Sequence, residues 1–406
     1  MTILVQKFGG TSLQTPASIT NVISHIKHAI EGQYKLVVVV SALGRKPDPY
    51  ATDTLLSLAN QANQFHSKRE KDLLMSCGEI IASVVLSNEL QNNHIKSIAL
   101  TGAQAGITTT SDFTEAKIKS VNTTRIVNEL ENHDVVVVAG FQGQTSAGEV
   151  TTIGRGGSDT TAAVLGAALN AEKVEIFTDV NGIMTADPRI VKSARQLKVV
   201  SYTEICNFAN QGAKVIHPRA VEIAMGANIP LHVRSTYSIE NGTLVTSAGI
   251  REIPDQPITG IAHMLELTQI KIKNREKMHR HHSDIFKEIE DAGISVDFST
   301  ISSTDLLLTI PKVYTQTAVD CITNLDCQPQ VIENCARISV VGGGLMGVTV
   351  ASGIVQVLTE KGIEVLQSAE SHTSNRVLVY EKDLMDAVNV LHDSFNLSQT
   401  LESGIK

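Results

Sequence analysis

Short apolar runs, each closed by polar or glycine positions, recur along the first part of the chain. Ile3 to Phe8, Leu36 to Val40, Ile98 to Leu100, Val135 to Ala139 and Val174 to Thr178 all have strand length. Runs as unbroken as Leu36 to Val40 predict strands covered on both faces, as in a parallel sheet. Helix-forming segments lie between them. One is predicted from about Pro16 to Ile30, with Thr15 as N-cap and Pro16 as its first residue. Others start near Asp53 and near Lys68, the latter passing through Cys77-Gly78-Glu79, while Pro47 and Pro49 make Arg45 to Tyr50 a loop. Alternating strands and helices over residues 1–246 predict a large α/β domain, a mainly parallel sheet sandwiched by helices.

The pattern changes after Thr246. Residues 247–257 (SAGIREIPDQP) read as a linker. Beyond it a weak internal repeat begins. Its first half has strands near Ile261 and Ile270, a helix near Ser283 to Ala292, the strands GISVDFST and DLLLTI, and a helix near Thr315 to Asn324. The second half has ARISVV, a helix near Val350 to Lys361, the strands GIEVLQSA and RVLVY, and a helix near Asp383 to Phe395. Both start a strand directly after a glycine-isoleucine pair, Gly293-Ile294 and Gly362-Ile363. Each half predicts a ferredoxin-like βαββαβ module, at residues 258–335 and 336–400.

The stretch VTTIGRGGSDTT, Val150 to Thr161, carries the strongest chemical signal. A β-branched run stops at Gly154, Arg155 follows, and after Gly156 and Gly157 a helix begins, with Ser158 or Asp159 as the expected N-cap. The first amides of a helix lack partners and bind anions, and an arginine adds a planar cation for a carboxylate or phosphate. Lys7 ends the first strand beside Gly9-Gly10, within reach of nucleotide phosphates held over a sheet. Ligands of parallel sheets bind beyond the carboxyl ends of the strands. Gly9, Gly10, Ser41, Gly154 and Asp179, each read as closing a strand, are therefore expected on one rim.

Composition narrows the class. The chain has 406 residues, 42% hydrophobic and 19% charged, with a formal net charge of −8. That charge and the absence of tryptophan disfavour nucleic acid and anionic membrane as partners. No run of about 20 apolar residues predicts a membrane span. The N-terminus lacks a basic n-region and cleavage site, and the five cysteines form no CxxC, so a cytoplasmic, reducing location is expected. No GxxxxGK[ST] is present, which excludes a P-loop.

The segments KFGGTS (Lys7 to Ser12), SCGE (Ser76 to Glu79), GRGGSD (Gly154 to Asp159), FTDVNGIMTADPR (Phe177 to Arg189) and GAKVIHPR (Gly212 to Arg219) together resemble the aspartate kinases. These belong to the amino-acid-kinase superfamily and carry two C-terminal ACT modules. Length and the insertion around Arg45 to Ala51 resemble the monofunctional, diaminopimelate-sensitive type of Gram-positive bacteria. The resemblance implies the reaction ATP + L-aspartate → ADP + 4-phospho-L-aspartate, which opens lysine, threonine and methionine biosynthesis. Mg2+ is expected with the nucleotide, and no protein metal ligands are expected.

The resemblance also implies residue roles. Lys7, Glu79 and Asp159 are the catalytic set. Lys7 contacts the transferring phosphoryl group, and Asp159 helps orient the charged groups. Thr52 and Glu79 hold the aspartate, with Glu79 on its ammonium. Arg155 pairs with the α-carboxylate, supported by Gly156, Gly157 and Ser158. Phe8, Gly9, Gly10 and Ser41 shape the phosphate cradle with Lys7. Thr178, Asp179, Met184, Asp187, Pro188, Arg189 and Lys214 lie on the nucleotide side. The family often has tyrosine at Met184, so a thioether packs on the base instead. Ser295, Val296, Asp297, Thr304, Asp305 and Leu306 match the effector region, with diaminopimelate, lysine or threonine as effector. A homodimer or larger homo-oligomer through the ACT modules is expected.

Two other features are decoys. Gly342 to Gly347 fits GxGxxG but opens a module too short for a dinucleotide sheet. His279 to His282 carry no acid or cysteine at ligand spacing and read as a solvated loop before a helix. The rival functions are a kinase for glutamate or N-acetylglutamate, and a non-catalytic amino-acid sensor. Arg155 and the twin C-terminal modules oppose the first, and Lys7, Glu79, Arg155 and Lys214 oppose the second.

Overall fold

A computed structural model describes residues 1–59, 67–212, 215–247, 258–273, 281–302, 305–342 and 348–399. They divide into two compact units. The first holds Met1–Ile183, Gln196–Asn210 and residues 215–247. It begins with β1 (Ile3–Phe8), α1 (Pro16–Glu31), β2 (Lys35–Val40), α2 (Thr52–Ala59), α3 (Lys68–Asn92) and β3 (Ser97–Leu100). There follow β4 (Ile107–Thr109), β5 (Ile118–Val121), α4 (Thr124–Asn132), β6 (Val135–Ala139), β7 (Gln142–Gln144) and β8 (Val150–Thr152). It ends with α5 (Gly157–Ala168), β9 (Lys173–Thr178), β10 (Val199–Ser201), α6 (Tyr202–Asn210), α7 (Pro218–Ala227), β11 (Leu231–Ser235) and β12 (Thr243–Thr246).

The 8-stranded sheet runs β10-β12-β11-β9-β1-β2-β6-β3. Strands β11, β9, β1, β2, β6 and β3 are mutually parallel, while β12 runs antiparallel to β11 and β10 runs parallel to β12. The unbroken apolar strands are the central ones: Leu36 through Val40 and Val135 through Ala139 are fully buried, with helices on both faces. Helix α1 starts as its sequence requires, with Thr15 and Ser18 forming a reciprocal capping box and Pro16 first in the helix. The C-terminal tips of β1, β2 and β9 lie side by side at the sheet centre.

One expected strand changes place. Strand β8, ahead of Gly154, is not in the main sheet but closes a separate 4-stranded sheet, β5-β4-β7-β8. These strands are three or four residues long and partly polar, so register rather than periodicity decides their membership. Helix α3 is long and apolar enough to match a membrane span by composition. Its Ala82, Leu86 and Leu90 instead pack in the core of this unit.

The second unit holds Met184–Arg195, residues 211–212 and the described residues from 258 onward. Its elements are β13 (Ile258–Lys273), α8 (His281–Asp291), β14 (Phe298–Ile301), β15 (Asp305–Pro311), α9 (Thr315–Thr323), β16 (Pro329–Gly342), α10 (Val348–Glu360), β17 (Gln367–Glu370), β18 (Ser374–Tyr380) and α11 (Leu384–Ser394). They form one 6-stranded sheet, β14-β15-β13-β16-β18-β17.

The two expected modules share their central strands. Residues 267–272 of β13 pair with 329–335 of β16, while Ile258–Met264 pair with 337–342. The register breaks at the pair Leu267–Cys335, and each long strand has a left-handed residue just before it, Glu266 at φ 57° and Asn334 at φ 55°. No strand follows α11 among the described residues. The fourth strand of the second ferredoxin-like half is instead Ile258–Met264, supplied from before the first half. The strands expected near Ile261 and Ile270 are both present, but only the second belongs to the first half. Helix α8 begins at His281, two residues before the expected Ser283, so the predicted histidine loop partly belongs to a helix.

Candidate active site

The C-terminal tips of β1 and β2, the middle of α3 and the N-terminus of α5 enclose a cavity of about 310 Å3. Lys7, Gly10, Ser41, Thr52, Glu79, Gly154, Arg155, Gly156, Gly157, Ser158 and Asp159 line it, together with Ala42, Gly44 and Phe141. Most residues expected to bind substrate therefore share one pocket, although they come from distant segments.

Local geometry explains the glycines. A Cβ on Gly10 would lie 2.5 Å from the Ala42 carbonyl oxygen, and one on Gly78 2.7 Å from Ala42 Cβ. Both let the loop after β2 close against its neighbours. The Gly154–Gly157 turn needs left-handed backbone at Gly154 (φ 78°) and Gly156 (φ 68°). Gly156, not Ser158 or Asp159, is the N-cap of α5; the latter two sit within its first turn. A Cβ on Gly156 would collide with the His217 ring at 2.2 Å, so this turn admits no side chain there.

Charges are placed deliberately. Lys7 Nζ is 2.7 Å from Asp159 Oδ1, an ion pair with both side chains 13% exposed. Asp159 Oδ2 also accepts the His217 backbone N–H at 3.3 Å. Burial lowers the His217 pKa, with Arg219 and Arg155 acting in the same direction against Asp159. Glu79 is 3% exposed. One of its oxygens accepts the Ala42 N–H at 3.2 Å, and the other is buried without a partner among the described residues. Burial pushes its pKa up to about 8, against the two backbone hydrogen bonds. A buried carboxylate with one open oxygen is the complement of a cation entering the cavity. Arg155 lies exposed at the rim.

Other expected residues are not among those lining this cavity. The ring of Phe8 is in the core, stacked on Phe177 with centroids 4.6 Å apart, so only its backbone faces the cradle. Gly9 lies beside the Lys7 ammonium. Thr178 bonds to Asp179, which pairs with Arg45 at 3.6 Å. Met184, Asp187, Pro188 and Arg189 belong to the second unit. There Asp187 and Arg189 form a two-pronged ion pair, Ala186 and Val191 join the core, and Thr185 Oγ1 is 2.9 Å from buried His392 Nε2. Lys214 and Thr304 lie outside the described residues, as do Gly343 to Gly347.

In the effector region, Ser295 is exposed and Val296 packs against the core under α8 and α9. Leu306 is fully buried in that core. Asp305 pairs with Lys271 at 3.6 Å, and Asp297 forms an ion pair with Arg337 of β16. The sequence reading missed Arg337, His217, Ala42 and Phe141. Only His217 lay inside a quoted motif; the others are apolar or strand positions whose role is set by packing.

A profile of the amino acid kinase family matches residues 2–235, and an ACT-domain profile matches residues 330–393. Fold and cavity thus define an amino acid kinase with an appended ACT region. Aspartokinase 1 of Bacillus subtilis (strain 168) is 53% identical over 404 residues, covering 98% of this chain and 100% of the relative. Aspartokinase of Geobacillus stearothermophilus is 39% identical over 408 residues, 98% of each. Escherichia coli aspartokinase III, solved with lysine and aspartate, superposes with a TM-score of 0.78 at 25% identity, covering 97% of this chain and 99% of that one. The chain belongs to the aspartokinase family, and its activity is the phosphorylation of aspartate by ATP.

Proposed function

We propose that the cavity at the tips of β1 and β2 transfers the γ-phosphoryl group of Mg2+–ATP to the β-carboxylate of L-aspartate. The observation that carries this reading is that Lys7, Glu79 and Arg155 line one small cavity. Aspartate has two carboxylates and one ammonium, and these three side chains offer two cations and one anion. Arg155 with the open amides of the α5 N-terminus takes the α-carboxylate. The free oxygen of Glu79 takes the ammonium, supported by Thr52 and Ser158. Lys7 sits where the β-carboxylate meets the γ-phosphorus, and Asp159 holds its ammonium in place.

A carboxylate is ionised at neutral pH, so the step needs no general base. One bond forms between a β-carboxylate oxygen and the γ-phosphorus. The bridging P–O bond breaks, and its electron pair leaves on ADP. Lys7 offsets the charge on the transferring group, where electrostatics and positioning dominate. Mg2+ would arrive on the nucleotide, held by phosphates and water, and would offset charge on the transferring group, while Asp159 stays paired with Lys7.

The regulatory reading assigns Ser295 to Asp297 and Thr304 to Leu306 to an amino-acid effector, with meso-diaminopimelate favoured over lysine or threonine. The lysine-bound Escherichia coli relative supports an amino acid in this role. We assign residues 1–246 to catalysis and the two halves beyond residue 258 to regulation, in a cytoplasmic homodimer or larger homo-oligomer. Five free cysteines suit a reducing compartment. The test is trapping of the acyl phosphate as hydroxamate with ATP and either aspartate or glutamate, then with lysine, threonine and diaminopimelate added in turn. Product with aspartate alone, suppressed by one added amino acid, is expected. Equal product with glutamate, or none with either, overturns the reading.

A further inference from the structure

The second unit buries an ion pair that is only half used. On β16, Ala336, Ile338 and Val340 face the core under α10 and α11. Arg337 points to the opposite face, where Leu267, Phe298, Cys335 and Leu378 bring the two halves of the sheet together. Arg337 is 1% exposed, and its Nη1 pairs with Asp297 Oδ1 from the turn before β14. Arg337 Nε and Nη2, and Asp297 Oδ2, are buried with no partner among the described residues.

The surroundings do not complete the pair. Gln269, Gln367, Thr300 and Thr309 on the same face bond to one another. A second cation, Arg376, also acts on Arg337; its guanidinium lies 5.5 Å from the Phe298 ring, and its Nε is buried with no partner among the described residues. Arg337 thus has one carboxylate partner and a second guanidinium acting against it. Unpartnered buried charge of this kind is costly, so the arrangement calls for a guest. Burial, reinforced by Arg376 and opposed by Asp297, already lowers the Arg337 pKa.

The open atoms define that guest. Nε and Nη2 form one edge of the guanidinium plane, which takes a carboxylate through two parallel hydrogen bonds. The open Asp297 oxygen takes an ammonium. An α-amino acid carries both groups on one carbon. We propose that the Asp297–Arg337 pair is a receptor for the zwitterionic end of the effector, with the α-carboxylate on Arg337 and the α-ammonium on Asp297. This rests on the reading that residues 295–297 hold the effector. It adds an anchor from the other half of the sheet, so that occupancy fastens the two halves together and leaves the effector side chain to set specificity.

The test uses the full chain and calorimetric titration with L-lysine, L-threonine and meso-diaminopimelate, and with the neutral carboxamide of whichever binds. On the unaltered protein the carboxamide should bind about 30-fold more weakly than the acid. In Arg337→Gln the acid should fall to that level, and the carboxamide should lose little more. Arg337→Lys keeps the charge without the fork and should fall between; it and the carboxamide comparison serve should the glutamine variant fail to fold. Acid binding within threefold of the unaltered protein in Arg337→Gln, or equal binding of acid and carboxamide, overturns the proposal. Loss of binding in Asp297→Asn with Arg337→Gln unaffected leaves the effector region standing and removes only Arg337. No loss in either variant, or no binding of any of the three amino acids, removes both.

Discussion

Lys7 Nζ lies 2.7 Å from Asp159 Oδ1, tying the tip of the central strand to the first turn of α5. The pair fixes a cation in a pocket wall while the helix N-terminus beside it stays open to an anion. Asp159→Asn frees the lysine without removing it. kcat should fall on the order of 10²-fold, with a smaller change in KM for aspartate, because a positioned charge contributes most in the transition state. Steady-state kinetics with both substrates varied checks this split.

Glu79 sets the pH response of aspartate binding. With its pKa pushed up to about 8, the free enzyme carries a neutral carboxyl at neutral pH, and the substrate ammonium must draw out the ionised form. KM for aspartate should therefore fall as pH rises towards 8. Glu79→Gln should raise KM and flatten that slope.

The same shift acts on stability with a definite sign. The folded pKa lies above the ordinary 4.5, so the Glu79 contribution is whole below pH 4.5 and is lost as pH rises through about 8. The melting temperature of Glu79→Gln should gain on that of the unaltered protein across this interval. Parallel melting curves would count against it.

Gly156 tests the turn. Alanine there would hold φ 68° and push a Cβ to 2.2 Å from the His217 ring. The left-handed strain alone costs about 1–2 kcal/mol. Gly156→Ala should lower the melting temperature by several degrees and abolish most turnover. Adding His217→Ala should recover part of the stability, since it relieves the collision but not the strain.

His392 makes the second unit acid-sensitive. It is fully buried against Thr185, and burial, with Arg195, lowers its pKa below 6.5 against the pull of Asp393. Stability from the neutral ring is present above pH 6.5 and is lost as pH falls through the lowered value. His392→Leu should lose less melting temperature than the unaltered protein on acidification. His25, His217 and His232 are shifted the same way, so the slope should shrink rather than vanish.

What the sequence made legible was local. Leu36 to Val40 and Val135 to Ala139 announced central strands because burial on both faces demands unbroken apolar side chains. Lys7, Glu79 and Arg155 stood out because charges beside glycines are rare without a purpose. Through-space relationships were hidden. Nothing local tells that β8 leaves the main sheet, or that Ile258–Met264 complete a half that begins some seventy residues later. Asp297 was visible as a carboxylate, but its partner Arg337 was not, because pairing across a folded sheet leaves no periodic trace. Phe8 and Leu306 sat within functional motifs while their side chains served the core. The cap of α5 moved to Gly156 because a left-handed entry outweighed side-chain capping.

Whether Lys7, Glu79 and Arg155 grip one small substrate is tested most directly by the kinetics of hydroxamate formation by Lys7→Ala, Glu79→Gln and Arg155→Ala. Lys7→Ala should lose most of kcat. The other two should raise KM for aspartate at least tenfold while KM for ATP stays nearly constant. Near-normal turnover by Lys7→Ala, or unchanged KM for aspartate in both other variants, would contradict it.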